Sequence, residues 1–167
     1  MGSQPRPILK IKLTKSDMII EIISVLILAT FWFNTFFQYN SLPEIIPTHF
    51  NGDGSANGNG PKYMIFGLPI ISLLFYIGLT YVSRFPEKFN YMTEITTQNA
   101  VKQYSIATQM LRVMKLCIII MFFAVEYKTV QDGLNGKSDL GGWFMFCIVS
   151  LIFIPLFYFL VQFSKNS

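Results

Sequence analysis

The stretch WFMFCIVSLIFIPLFYFLVQF, residues 143–163, runs for 21 residues without a charged side chain. A helix needs roughly 20 mainly apolar residues to cross the hydrocarbon core of a bilayer. A second stretch of the same length, YMIFGLPIISLLFYIGLTYVS at residues 63–83, is equally free of charge. Because a buried helix of a soluble protein would normally keep a polar face over such a length, the sequence predicts an integral membrane protein.

Two further spans follow from the same argument. Residues 22–37 are uncharged, and residues 108–130 are apolar apart from charges near their ends, which long side chains can carry to the headgroups. From about Thr93 to Lys115 apolar residues recur at steps of three or four, which predicts a helix that leads into the third span. The expected fold is all-α, a single membrane domain over 1–167 with spans near 17–38, 63–83, 108–130 and 142–163.

Lysine and arginine placement sets the expected orientation, because cytoplasmic loops carry an excess of both. Ten of these residues fall in the termini, the connection 84–107 and the adjoining helix ends: Arg6, Lys10, Lys12, Lys15, Arg84, Lys88, Lys102, Arg112, Lys115 and Lys165. Three fall in or beside the other two connections: Lys62, Lys128 and Lys137. Both termini and the connection 84–107 are therefore expected to be cytoplasmic, with the loop 39–62 outside.

The first span contains an acidic residue, Glu21, about one turn inside the helix that Ser16 and Asp17 are expected to cap. An unpaired charge at that depth is costly. The cationic candidates at similar depth are Arg112 and Lys115 of the third span. The sequence predicts an inner-leaflet ion pair between the first and third helices; the alternative is that Glu21 reaches water alone.

The outer loop has an unusual composition, with PTHFNGDGSANGNGPK at residues 47–62. Glycines permit positive φ and asparagines tolerate it, so the loop is either flexible or folded into tight turns. The prolines before it, the aromatic Phe50 beside His49, and the short link from Pro61 to the next span favour an ordered loop.

Metal and catalytic chemistry find little support in the sequence. The alternation of Asn51, Asp53, Ser55 and Asn57 is similar to a calcium loop, but Ala56 and Lys62 stand where glycine and glutamate are needed. One histidine and two distant cysteines cannot supply a zinc site. We predict no catalytic residues, no metal and no cofactor, and we interpret the net charge of +4 as contact with lipid, not nucleic acid.

The segment LPEIIPTHFNGDGSANGNGPK, residues 42–62, resembles the small membrane domain of unknown function that opens the SdpI-type immunity and signalling proteins of bacteria. The positions that carry the resemblance are Ile46, Pro47, His49, Phe50, Asn51, Gly54, Gly58 and Lys62. Asn57 departs from the family, which often has aspartate there. The resemblance implies a non-enzymatic protein of the bacterial inner membrane that protects against a secreted peptide toxin and takes part in signalling.

The predicted function is therefore binding, without turnover, at the outer loop. The residues expected to bind a ligand or to order the loop are His49, Asn51, Asp53, Gly54, Gly58, Lys62 and Glu126. Glu126, at the outer end of the third span, is expected to pair with Lys62 or His49. The alternatives are a small-solute carrier or transporter subunit, and a loop that only locks the fold. The sequence leaves the ligand and the oligomeric state open.

Overall fold

The computed structural model describes residues 6–136 and 139–166; Lys137, counted above among the loop cations, lies outside them. The described chain is mostly helical, and four of its helices are long and apolar enough to cross a membrane, which confirms the predicted fold class. The spans are Lys15–Ser41, Lys62–Val82, Ala100–Leu134 and Gly142–Lys165. Their α-helices are α1 (Lys15–Gln38), α2 (Gly67–Val82), α3 (Ala100–Leu134) and α4 (Gly142–Lys165). Short 3-10 turns occupy Tyr39–Ser41, Lys62–Phe66 and Pro86–Lys88.

Helix α3 forms the centre of the bundle, since it packs against each of the other three helices. In the most apolar part of α3, 39% of the residues are buried, whereas in the corresponding part of α4 only 6% are buried. Several polar and charged residues of α3, among them Lys115 and Glu126, are buried against the neighbouring helices. The outer helices instead expose rows of large apolar side chains, as expected for surfaces in contact with lipid.

Helix α1 begins earlier than predicted. Thr14, not Ser16 or Asp17, is the N-cap: its hydroxyl accepts a hydrogen bond from the Asp17 amide at 3.2 Å, and the Asp17 carboxylate accepts one from the Thr14 amide at 2.9 Å. This reciprocal pair is a capping box, which satisfies two otherwise unpaired donors of the first turn. Asp17 therefore acts from the third helical position.

The loop 39–62 contains a β-hairpin that the all-α prediction did not include. Strand β1 (Ile45–Phe50) pairs antiparallel with strand β2 (Ala56–Pro61), with Ile46 opposite Gly60 and a register shift around His49. Ile46 is buried against Leu42, Ile65 and Val130. Burial of this one apolar side chain anchors the hairpin to the helices. We call the end of the bundle that carries the hairpin the hairpin end.

The opposite end, which we call the tail end, is covered by the N-terminal segment 6–14. Arg6 donates to the carbonyl oxygens of Glu87 and Phe89, at 3.1 and 2.5 Å. The Tyr104 hydroxyl donates to the Pro7 carbonyl at 3.1 Å, and Leu9 and Ile11 pack against the buried cluster around Tyr104. Burial raises the pKa of the Tyr91 phenol, which donates to the Pro86 carbonyl beneath this segment. The tail is thus part of the folded structure.

Helix α3 starts at Ala100, several residues later than the predicted Thr93. Thr96 and Asn99 form reciprocal bonds between side chains and backbone instead, with the Thr96 amide 2.9 Å from Asn99 Oδ1. Such local bonds compete with the helix. Ile95 is buried against Ala100 and Tyr104 and fixes the turn that precedes the helix.

Candidate functional site

A chain of side-chain hydrogen bonds runs along the exposed surface of the hairpin. His49 Nδ1 donates to Asn57 Oδ1, Asn57 Nδ2 donates to Asn51 Oδ1, and Asn51 Nδ2 donates to Ser55 Oγ. Ser55 Oγ in turn donates to Asp53 Oδ1 at 2.6 Å. We call these five residues the hairpin polar chain. Because neutral His49 carries its proton on Nδ1 in this arrangement, its Nε2 is a hydrogen-bond acceptor.

The chain ends at the tip of the hairpin, where Asp53 orders the turn. The Asp53 carboxylate accepts from both the hydroxyl and the amide of Ser55, and these hydrogen bonds lower its pKa below the ordinary value for aspartate. Charge-assisted bonds of this kind are stronger than neutral ones. The alternation of polar residues that is similar to a calcium loop is therefore used here for internal hydrogen bonding.

Gly54 holds the tip against the connection between α3 and α4. Its φ is +91°, and its carbonyl accepts from the Leu140 amide at 2.8 Å. A Cβ at this position would lie 2.6 Å from the Gly141 nitrogen. Both the backbone angle and the close approach exclude a side chain. The hairpin is thereby attached to the helices at its tip as well as at Ile46.

Gly58 has a different role, which is to let His49 approach. The two residues are cross-strand neighbours, and a Cβ on Gly58 would lie 3.1 Å from the His49 Cβ. A larger residue would push the imidazole away from the strand. The absence of a side chain at Gly58 therefore helps set the position of His49 next to Asn57.

Lys62 lies at the base of the hairpin and is separate from the polar chain. Its Nζ forms an ion pair of 3.0 Å with Glu44 and lies 5.3 Å from the centre of the Tyr39 ring. Its amide also donates to the Glu44 carbonyl at 2.9 Å. The structure thus brings His49, Asn51 and Asp53 together but places Lys62 with Glu44, at the point where the hairpin joins α2.

The expected pairing of Glu126 with Lys62 or His49 is wrong. Glu126 is fully buried between α3 and α1, where its carboxyl group accepts from Thr35 Oγ1 at 2.8 Å and from Asn34 Nδ2 at 3.1 Å. Lys62 is engaged by Glu44 at the surface, and His49 lies on the exposed face of the hairpin. Two neutral donors of α1 take the place of the predicted cation.

At the tail end Glu21 does contact both predicted cations. Lys115 Nζ lies 2.7 Å from each Glu21 carboxylate oxygen, and Arg112 Nε lies 3.8 Å from Glu21. Asp17 adds a second acid, 3.3 Å from the Arg112 guanidinium. Thr80 and Tyr76 of α2 complete the surroundings of Lys115. We call Asp17, Glu21, Arg112 and Lys115 the charge quartet; it joins α1 to α3 and is neutral as a whole.

Comparison with known proteins gives a family match for part of the chain. Residues 25–73 match DUF1648, a domain of unknown function. The matched range includes the hairpin polar chain, Lys62 and the two α1 donors to Glu126, and it agrees with the resemblance found in the loop. An uncharacterized protein of Archaeoglobus fulgidus is 25% identical over 181 aligned residues, which cover 100% of this chain and 95% of that protein. No solved structure matches the chain.

Several residues of the site were not predicted from the sequence. Within the DUF1648 match, Ser55 and Asn57 carry two links of the hairpin polar chain, although only their alternation with Asn51 and Asp53 was noticed. Asn34 and Thr35 sit inside an apolar run, where two adjacent polar residues are a signal that a buried polar group needs donors. In the described residues no group of three or more histidine, cysteine, aspartate or glutamate side chains is arranged to hold a metal.

Proposed function

We propose that this protein is a non-enzymatic, multi-pass membrane protein that binds a peptide or another ligand through its hairpin, in the manner implied by its resemblance to SdpI-type immunity and sensor proteins. The observation that carries the proposal is the hairpin polar chain. It presents an imidazole, amides, a hydroxyl and a carboxylate on one exposed surface outside the helices. Loops held by a rigid scaffold are where proteins commonly place binding groups.

Preorganisation of this surface supports binding. The hairpin is attached to the helices at its tip by Gly54 and near its base by the buried Ile46, and contacts between Lys62 and Glu44 close its open end. A ligand that meets such a surface does not have to order it first, which lowers the entropic cost of association. His49 contributes Nε2 as an acceptor, and the edges of the hairpin strands offer backbone groups to an extended peptide.

The pairing of His49 favours binding over catalysis. Its Nδ1 donates to the amide oxygen of Asn57, which orients the imidazole but carries no charge with which to stabilise an imidazolium, as a carboxylate would. The adjoining hydroxyl, Ser55, donates to Asp53 and is separated from the imidazole by two asparagines. This arrangement does not activate a nucleophile in the way a base beside a hydroxyl does.

We further propose that the hairpin faces outward from the cell membrane and that both termini are cytoplasmic. The support is the distribution of basic residues along the sequence together with the structure, which gathers the N-terminal segment and the connection 84–99 at the tail end. Arg6, Lys10, Lys12, Arg84 and Lys88 all lie at that end. The hairpin would then meet a secreted peptide before it reaches the lipid.

Photo-cross-linking in living cells tests the binding proposal. A photoreactive amino acid at the exposed Asn59 of β2 is expected to form an adduct with a peptide, and His49→Ala in the same chain is expected to reduce that adduct at least tenfold because it removes an acceptor and breaks the polar chain. The same probe at Asn135, at the hairpin end but outside the hairpin, serves as the control and is expected to give no peptide adduct.

Membrane accumulation of each variant separates binding from structure. If His49→Ala reduces the adduct while the protein accumulates normally, the binding proposal is supported. If the adduct persists unchanged in both His49→Ala and Asn57→Ala, or if both variants fail to accumulate, the polar chain serves the fold and the proposal is wrong.

A further inference from the structure

A cavity with a volume of about 560 Å³ lies at the tail end. Its walls come from the N-terminal segment, α1, the end of α2 and α3, and they include Lys10, Arg84 and Arg112. We propose that this cavity binds the phosphate headgroup of an anionic phospholipid. This inference is independent of the function proposed for the hairpin.

The charge in the cavity favours an anion. Lys10, Arg84 and Arg112 bring three positive charges to the lining, and Glu21 brings one negative charge. The remaining members of the charge quartet, Lys115 and Asp17, cancel each other. Basic cavities between membrane-spanning helices at headgroup depth are suited to anionic lipid headgroups. The excess positive charge matches a phosphodiester, with Lys10 and Arg84 exposed and able to turn toward it.

Two side chains in the cavity wall, Arg112 and Thr80, can donate hydrogen bonds to a phosphate oxygen. The Arg112 side chain is 9% exposed, and its ionic contacts to Asp17 and Glu21 are long, at 3.3 and 3.8 Å. A guanidinium has more N–H donors than these contacts use. The Thr80 hydroxyl accepts from Lys115 Nζ at 2.8 Å, so its own O–H can donate. A phosphate between Arg112 and Thr80 would meet donors that the protein already holds in place.

A second groove, lined by three apolar residues and Glu21, favours a lipid as the ligand. It has a volume of about 260 Å³, its apolar lining residues are Ile22, Val25 and Leu26, and it shares Glu21 with the first cavity. The three apolar residues are exposed on α1, in the direction of the hydrocarbon core. A free phosphate would use only the polar cavity, whereas an amphiphile can place its headgroup there and an acyl chain in the groove.

Native mass spectrometry of the full chain released from nanodiscs tests the proposal. In mixed phosphatidylglycerol and phosphatidylcholine nanodiscs with identical acyl chains, we expect one phosphatidylglycerol to be retained in preference to phosphatidylcholine. Lys10→Gln and Arg84→Gln are each expected to weaken retention about fivefold, because each removes one charge near the phosphate. Lys12→Gln and Lys88→Gln are matched controls, since both lysines are exposed at the same end and neither lines the cavity.

The competing explanations give different results in the same experiment. Equal loss in the Lys12→Gln and Lys88→Gln controls would show that only diffuse surface charge attracts the lipid, and equal retention of the two lipids would show no headgroup preference; either result overturns the proposal. Inorganic phosphate and glycerophosphoglycerol, which have no acyl chains, are expected not to displace the bound lipid. Displacement by either would assign the cavity to a soluble phosphate compound and contradict the proposal.

Discussion

Replacement of Lys115 by methionine is expected to lower the free energy of unfolding by about 3 kcal/mol, the lower end of the range for removing one partner of a buried ion pair. Lys115 is 1% exposed and contacts both carboxylate oxygens of Glu21. Without it, Glu21 keeps the longer contact with Arg112 and a hydrogen bond of 3.4 Å from the Tyr76 hydroxyl, neither of which replaces the close ammonium. Because the Glu21 side chain is 24% exposed, water can partly solvate the unpaired carboxylate, so we expect a loss at the lower end of that range. Unfolding by sodium dodecyl sulfate, followed by circular dichroism, measures the change.

Two further variants show whether the charge itself is responsible. Lys102→Met changes an exposed lysine of the same helix and is expected to alter stability by less than about 0.5 kcal/mol. Glu21→Gln combined with Lys115→Met removes both charges and is expected to recover most of the loss. A double variant as unstable as Lys115→Met alone would mean that packing, not the unpaired carboxylate, causes the defect.

Substitution of Gly54 by alanine is expected to detach the hairpin tip from the connection between α3 and α4. The added Cβ would lie within 3.0 Å of three backbone atoms of Gly141, and φ at +91° is unfavourable for any L-residue. Backbone strain of this kind costs about 1–3 kcal/mol. The Leu140 amide, which donates to the Gly54 carbonyl, should then exchange with solvent at least tenfold faster in a hydrogen-exchange measurement.

Gly52 is a matched control in the same turn. A Cβ there would meet nothing within 4 Å, and its φ is not in the left-handed region. Gly52→Ala is therefore expected to leave the exchange of the Leu140 amide unchanged. Unchanged exchange in Gly54→Ala as well would contradict the docking of the tip.

The helices were predictable because length and hydropathy decide them with little help from tertiary contacts. The pairing of Glu21 with Lys115 was predictable for a related reason: depth in a bilayer leaves few groups able to stabilise a carboxylate. The hairpin was not predictable from strand propensity, because glycine and asparagine are poor strand formers. Its position depends on the buried side chain of Ile46 and on the contact between Gly54 and Gly141, which join residues far apart in the sequence.

The partners of Glu126 show the limit of reasoning from charge. A search for cations suggested Lys62 and His49, but the carboxyl group is satisfied by Thr35 and Asn34, which hydropathy assigns to an apolar span. The packing of the N-terminal segment 6–14 against the tail end was not predicted either. Its contacts through Arg6 depend on the shape of the irregular connection 84–99, which no periodicity in the sequence reveals, and its contact through Pro7 is with Tyr104 of α3.

Labelling of single cysteines tests directly whether the hairpin end and the tail end lie on opposite sides of a membrane. With Cys117 and Cys147 changed to serine, Asn59→Cys and Lys88→Cys are treated separately with a membrane-impermeant maleimide, in cells stripped of any outer envelope and in inverted vesicles. We expect labelling of Asn59→Cys only in the cells and of Lys88→Cys only in the vesicles. Labelling of both from the same side would contradict this expectation.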